Sequence, residues 1–583
     1  MAKFMNFIKS NYLMIFIFTL LILLRFIWID RFPPGMQYDE IEYSLSSKTF
    51  QMMGTDLSGV GFPESLITTR TLGKISPVPY MILSPFWNIL DLNITTYRSL
   101  YVFLNIITAF VFMMLLHQLF KEKFIIYSGG LLFLLNPWSF FLSRHGMDGS
   151  FALIFYLLGT IFLLKNYSKK NIIISFLFLI LGIFSYHGAK LPVIPLVTIV
   201  SLYKIFTEKK RGKQLVPYII LVTLVTATVA AFVFGGIFLS QSILDTRSHE
   251  FVFTNTDQFS GEVNSIRTAS INSPIHNLTI NKVIFAMQYF IGNYLHSFDP
   301  ILLFLYAEVL EFHGFFYIFE AALLVTGFVM LFYKKQNIFW LITGLAAIAP
   351  ISTATSMSGF SIINRAIFLL PMLIIYISYG LYILYETAKK FISAKILLSI
   401  IVLAYLGAFI FFQYTYFFIL PIQINMHYQT NTRILAKYLS FEKKLSPKII
   451  IVADKPQVLF SGLVFYLTRE EQEKILKQKQ TFKKNLEFTI DNILIRYECV
   501  SQFNPEYTYI VDHNRDICTK KIPAGDYILN QKDAATDLFI IGGKACQEYK
   551  LNRWRYPHLL SDFNVESMDT EQFCKRWIAS PDQ

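Results

Sequence analysis

At 583 residues, the chain is 54% hydrophobic and only 16% charged, with a mean hydropathy of +0.47, which is too apolar for a water-soluble protein of several domains. Its formal net charge of +13 would point to nucleic acid only if the cations formed a patch. They instead occupy short links between apolar runs: Lys3 and Lys9; Lys121 and Lys123; Lys165, Lys169 and Lys170; Lys204, Lys209, Lys210, Arg211 and Lys213; Lys334 and Lys335; Lys389, Lys390 and Lys395. With about 17 basic residues against Glu122, Glu208 and Glu386, these links account for the whole excess. The basicity reads as membrane topology, and no nucleic-acid partner is expected.

The first apolar run, Tyr12 to Ile29, follows Lys3 and Lys9 and is succeeded by Arg31-Phe32-Pro33-Pro34 with no small-residue cleavage site. It predicts an uncleaved first span with a cytoplasmic N-terminus. Further spans are predicted at Arg98–Phe120, Phe124–Leu142, Ser150–Leu164, Asn171–Ser185, Leu191–Tyr203, Val216–Leu239, Phe315–Phe332, Ile338–Ile351, Ala366–Leu384 and Ile396–Leu420. Alternation along these eleven puts every basic link on one side of the bilayer. Two shorter apolar segments, Pro79–Leu90 and Phe290–Tyr306, are interrupted by Pro, Asn or Asp and read as interfacial or re-entrant helices, giving about 11–13 transmembrane helices in all. On the far side fall the loops 30–97 and 241–314 and the tail, residues 421–583. In the tail, Lys448–Ala453, Tyr507–Val511 and Asp537–Ile541 look like buried strands between charged helical stretches such as Arg469–Lys484. An α/β domain of about 150 residues is the expectation. All four cysteines, Cys499, Cys518, Cys546 and Cys574, lie in it at spacings unlike those of a zinc site; two disulfides in an oxidising compartment fit, with buried thiols as the alternative.

The first outside loop opens with Pro33-Pro34-Gly35-Met36-Gln37-Tyr38-Asp39-Glu40-Ile41-Glu42-Tyr43. A carboxylate just beyond a span is well placed to deprotonate or orient an acceptor hydroxyl while a phosphate departs from a sugar carbon on a lipid-linked substrate. Asp39 and Glu40 project to different sides in either a strand or a helix, so one can face a reaction while the other is held by structure. The pair also reads as a solvated acidic loop start. Cations on this side are few and sit at membrane edges: Lys74, Arg98, Arg144, His145, His187, Lys190 and Arg365. Short outside loops are normally poor in Lys and Arg, and a polyprenyl phosphate head at that depth supplies a reason for them; snorkelling, or pairing with Asp148, Asp299 or Glu308, is the alternative. Asp148 is expected to pair with Arg144, with a second site carboxylate as its other reading. His187 has no second His at ligand spacing, so a hydrogen bond to phosphate or backbone is expected in place of a metal. No phosphate-binding loop or dinucleotide fingerprint is present, and fixed cations can neutralise a phosphate, so no cofactor is required and a divalent metal is possible without being indicated.

The Pro33–Glu40 run, Lys74 ahead of Pro77 and Pro79, Arg98 opening the next span, and the Asn136-Pro137-Trp138…Ser143-Arg144…Asp148 turn together resemble the GT-C glycosyltransferases of the protein O-mannosyltransferase and aminoarabinose-transferase type, which use polyprenyl-phosphate-linked sugars. Ser185–Lys190, Asn293–Pro300 and Asn364-Arg365 look like later landmarks of the group. The resemblance covers residues 1 to about 420 and leaves the tail uncovered. It implies that Asp39 is the essential aspartate and Glu40 its neighbour, that Lys74 lies near the donor phosphate, and that Asp148 is an acidic position after the third span. Two departures stand out: the usual Lys-Pro-Pro is here Lys74-Ile75-Ser76-Pro77, and Trp-Trp-Asp is absent, which disfavours transfer of a whole oligosaccharide.

The expectation is therefore an α-helical polytopic plasma-membrane protein with a GT-C-like body in residues 1–420 and an extracytoplasmic α/β domain in residues 421–583. It would move one sugar, with inversion, from a polyprenyl-phosphate-linked donor to a hydroxyl of an extracytoplasmic protein, lipid or glycan. Asp39 and Glu40 are the candidate catalytic carboxylates, Lys74, Arg144, His187, Lys190 and Arg365 the candidate donor-phosphate ligands, and Asp148 a possible second carboxylate. A transporter or flippase of a lipid-linked or anionic solute is the alternative, although no two similar halves are apparent.

Overall fold

A computed structural model describes residues 14–66, 75–166, 168–207, 216–239, 252–253, 256–271, 275–310, 312–357, 362–423, 429–478, 487–500, 503–512, 527–529, 538–549, 551 and 560–579. The membrane body begins with α1 (Met14–Leu24), followed by α2 (Tyr38–Met53), α3 (Pro77–Leu83), α4 (Ile94–Leu119), α5 (Lys123–Leu135), α6 (Pro137–Ser143), α7 (Gly149–Leu164), α8 (Lys169–Ile183), α9 (Lys190–Thr207) and α10 (Val216–Leu239). Helices Glu320–Lys334, Gln336–Ile348, Leu369–Ala388 and Ala394–Tyr414 complete it. Each of the eleven apolar runs contains helix among its described residues, the first only over Met14–Leu24 and the eighth only from Glu320. Among the described residues, five helices are long and apolar enough to cross a membrane by themselves, or six if the bent pair α5 and α6 is one span. The 60° bend in that pair falls at Asn136-Pro137, where Pro137 has no N–H to continue α5 and the Asn136 side chain caps α6 by accepting from Ser139 N at 3.0 Å. The interrupted segments are short helices, with α3 passing into a 3₁₀ turn at Ser84–Asn88 and Lys282–His296 followed by Pro300–Phe304.

Lipid offers helices no hydrophobic reason to associate, so close contact at small residues takes over. The Glu320–Lys334 and Leu369–Ala388 helices show this at Gly327 and Gly380. A Cβ on Gly327 would lie 1.8 Å from Tyr376 O, and one on Gly380 2.0 Å from Leu323 O.

Between α1 and α2 the chain has no regular hydrogen-bond ladder, yet buried carbonyls need donors. Buried arginines supply them. Arg144 donates to Arg25 O and Ile27 O (both 2.8 Å), Trp28 O (3.0 Å) and Phe32 O (2.8 Å). Arg98 donates to Ile29 O (3.3 Å), Pro33 O (2.8 Å) and Gly35 O. Arg433 donates to Pro34 O at 2.6 Å.

The tail forms a seven-stranded sheet ordered β2-β3-β1-β4-β6-β5-β7, from β1 (Ile449–Val452), β2 (Glu487–Ile490), β3 (Ile493–Arg496), β4 (Thr508–Asp512), β5 (Tyr527–Leu529), β6 (Leu538–Ile541) and β7 (Ile578–Ala579). The fully buried run of β1 pairs in parallel with β3 and β4 on its two sides, as expected for a central strand covered on both faces. Cys546 and Cys574 form a disulfide, and Cys499 is disulfide-bonded as well; Cys518 lies outside the described residues. The hydrophobic core of this domain is continuous with that of the first loop: Ile41, Leu45, Trp87 and Tyr97 share one cluster with Phe460, Leu463 and Phe465.

Candidate functional site

The sequence at the start of α2 builds a helix N-terminus fixed from several directions. Gln37 is the N-cap and Glu40 the third helical residue, so the Glu40 side chain folds back and accepts from Gln37 N at 2.8 Å, a capping-box arrangement. Its other oxygen accepts from Gly146 N at 2.8 Å and lies 3.8 Å from Arg98 Nε. Glu40 is 1% exposed. Burial lifts its pKa above the ordinary carboxylate value, against the pull of Arg98 and the two N–H groups. Asp39, one residue earlier on the helix, is exposed. The adjacent carboxylates thus have different environments, one buried and locked in protein and one exposed.

Tyr43 lies four residues after Asp39, on the same face of α2. Its hydroxyl donates to Asp148 Oδ2 at 2.8 Å and accepts from Ser76 N at 2.9 Å. Burial, reinforced by the Asp148 charge, raises the Tyr43 pKa and keeps the phenol protonated. The other Asp148 oxygen accepts from Gly149 N (2.9 Å) and Asn364 Nδ2 (3.0 Å). A Cβ on Gly149 would stand 2.1 Å from Asn364 Oδ1, so a glycine there is what lets Asn364 approach. Asp148 therefore ties α2, the segment before α3, α7 and the Ile362–Arg365 helix together. Arg365, next to Asn364, is half-buried, and among the described residues its guanidinium has no hydrogen-bond or ion-pair partner.

The turn before α9 brings Lys190 Nζ within 2.7 Å of His187 Nδ1. Ser352 Oγ donates to Gly188 O, and Tyr156 of α7 donates to Ala189 O at 2.8 Å. The Tyr156 ring stacks on Phe368, three residues beyond Arg365, with centroids 5.0 Å apart. Lys74 lies outside the described residues; Ser76, two positions on, bonds Tyr43. Among the described residues, no cluster of three or more His, Cys, Asp or Glu has metal-binding geometry.

The structure thus gathers Asp39, Glu40 and Asp148 at the first turns of α2, reaches Arg365 only through its neighbour Asn364, and connects this group through α7 to the turn that carries His187 and Lys190. Arg144 is the correction. Its guanidinium is buried among the carbonyls of residues 25–32 and is not presented to a ligand, and it is not the partner of Asp148, whose carboxylate is held by Tyr43, Asn364 and Gly149. A coil at membrane depth needs donors more than a charged residue there needs a counter-ion. Sequence reasoning missed Tyr43 and Arg433 and named Asn364 only as a landmark beside Arg365. The four-residue spacing from Asp39 would have revealed Tyr43; nothing local signals Arg433, which sits in the tail.

This arrangement of helices with a mixed sheet has the GT-C fold. Among solved structures, the chain is similar to ArnT from Cupriavidus metallidurans bound to undecaprenyl phosphate, with a TM-score of 0.52 at 10% identity, covering 91% of this chain and 98% of that one. It is also similar to the apo oligosaccharyltransferase of Archaeoglobus fulgidus, with a TM-score of 0.40 at 11% identity over 78% of this chain and 64% of that one. No protein-family model and no curated protein matches the sequence.

Proposed function

We propose that the chain is a membrane glycosyltransferase that moves a single sugar from a polyprenyl-phosphate-linked donor to a hydroxyl of an extracytoplasmic acceptor, with inversion. The observation that carries this reading is the exposed Asp39 carboxylate on a helix start immobilised by Glu40, Arg98 and Tyr43, with Tyr43 joined through Asp148 to Asn364, the neighbour of Arg365. Asp39 takes the proton from the acceptor hydroxyl, whose oxygen attacks the anomeric carbon; the bond from that carbon to the phosphate oxygen breaks, and the polyprenyl phosphate leaves with the electron pair. Arg365 suits a phosphate through its planar fork of donors. Lys190 and His187 complete the cationic lining, and preformed positive charge of this kind stabilises the departing phosphate without reorganising. Glu40 and Asp148 hold the geometry. Arg144 has no part in the chemistry. That ArnT was crystallised with undecaprenyl phosphate supports a lipid phosphate as ligand for this fold. In this reading the basic links face the cytoplasm, and the first loop and the sheet domain lie outside.

The test is sugar transfer or release from a radiolabelled polyprenyl-phosphate sugar by the purified protein in detergent, where transport has no meaning. Asp39→Asn should lower turnover by about 100-fold or more while the protein stays folded and inserted. Full activity in that variant removes Asp39 from the mechanism, and no transfer or release by the unaltered protein across donor sugars removes the function.

A further inference from the structure

The sheet domain grips the reaction centre's own helix. Arg433, on the Thr430–Glu442 helix of the tail, is 2% exposed. Its Nε donates to Glu566 Oε1 at 2.7 Å, its Nη2 to Glu566 Oε2, and its Nη1 to Pro34 O. The neighbouring carbonyls, Pro33 O and Gly35 O, are held by Arg98, which also faces Glu40. Pro33 and Pro34 have no N–H to anchor, so this part of the turn is held through its carbonyls. Opposed guanidinium groups, one from the membrane body and one from the tail, therefore fix the three residues that lead into α2. The same contact continues in the Phe32–Phe563 ring pair at 5.4 Å and in Lys437 Nζ, which donates to Glu566 O at 2.9 Å. Further along α2, Lys48 meets Glu473 at 2.8 Å.

From this we infer that Arg433 is a positioning residue for the transfer reaction: held by Glu566, it sets Pro34 and hence the start of α2 that presents Asp39, making the sheet domain a structural component of the reaction centre. Only arginine fits this post, because the fork engages a carboxylate along one edge while the remaining nitrogen reaches a carbonyl; a lysine ammonium reaches one partner at a time. The inference rests on the proposed glycosyl transfer for its kinetic consequence, and on geometry alone for its structural one.

The experiment uses full-length protein in detergent, as unaltered chain, Arg433→Ala and Arg433→Lys. It reads hydrogen exchange of peptides over 33–43 and over 449–452, together with kcat and donor KM. In Arg433→Ala, exchange over 33–43 should rise while the central strand stays protected, and kcat should fall by about tenfold with donor KM changed less than about threefold, the pattern of an interaction that matters in the transition state more than in donor binding. Arg433→Lys should fall between the two. Unchanged exchange over 33–43 overturns the inference, as does raised exchange with unchanged kcat, or a loss of kcat that only follows a loss of protection in both segments. If the unaltered protein transfers and releases no sugar while exchange behaves as stated, the proposed function fails and the mechanical link between tail and helix start stands.

Discussion

Gly146 is where the candidate site has least room. A Cβ built there would sit 2.3 Å from Tyr97 Cε1, 2.6 Å from its Oη and 2.8 Å from its Cζ. Tyr97 is 0% exposed and packs on Tyr101 with ring centroids 5.2 Å apart, so the ring cannot swing into solvent. In Gly146→Ala the turn must withdraw, and the Gly146 N–H then leaves Glu40 Oε1, which it now reaches at 2.8 Å. Overpacking of a dense site costs about 1–3 kcal/mol, and loss of a hydrogen bond to a charged group about 1.5–3 kcal/mol. Together they predict a destabilisation of about 2.5–6 kcal/mol, with turnover lowered at least as strongly as for a loosened α2 start. The assay is thermal unfolding in detergent alongside sugar transfer, with Gly407→Ala as control. Nothing lies within 4 Å of the Cβ position at Gly407, so alanine there should be neutral or stabilising by up to about 1 kcal/mol. A Gly146→Ala protein matching the unaltered one in both stability and turnover would refute the reasoning, as would equal damage in Gly407→Ala.

Acid should strike the tail through Glu442. Burial opposes ionisation of this side chain, but donation from Ser446, Thr508, Ala545 N and Lys544 N outweighs it and holds the pKa below its ordinary value of 4.5. A depressed carboxylate pKa stabilises the fold above the unfolded value and loses that stabilisation as pH falls through the folded one. The unfolding midpoint of the sheet domain should therefore be insensitive to this group from pH 7 to about 5 and decline below about 4.5; an identical acid limb in Glu442→Gln would show that the group is not responsible. In the membrane body, Gly380→Leu drives a side chain into the Leu323 carbonyl, where backbone cannot give way, and should cost about 3 kcal/mol; unaltered detergent stability of that variant would contradict the close packing of the two helices.

How far the sequence could be read depended on whether a residue's job is local. Apolar runs and basic links marked the helical body because length and charge act along the chain, and the strands near residues 450, 510 and 540 followed from short buried β-branched runs. The different environments of Asp39 and Glu40 follow from adjacent positions on a helix. Arg98 and Arg144 did not yield to the same reasoning. A charge at a membrane edge looks like a ligand for an anion, and only the three-dimensional path of residues 25–35 shows that its carbonyls are what both guanidinium groups serve. The Tyr43–Asp148–Asn364 junction joins three distant stretches, so the spacing that puts Tyr43 on the face of Asp39 does not announce its two partners.

The grip on Pro34 also has a consequence for biosynthesis. Residues 33–35 emerge from the ribosome early, whereas Arg433 follows 399 residues after Pro34 and its carboxylate partner a further 133 after that. A nascent chain can therefore insert its helices long before the entrance to α2 acquires its last anchor. Translation has to deliver Glu566 before the helix that carries Asp39 is fully seated, so a chain interrupted in the tail would occupy the membrane with its acidic helix start unfinished.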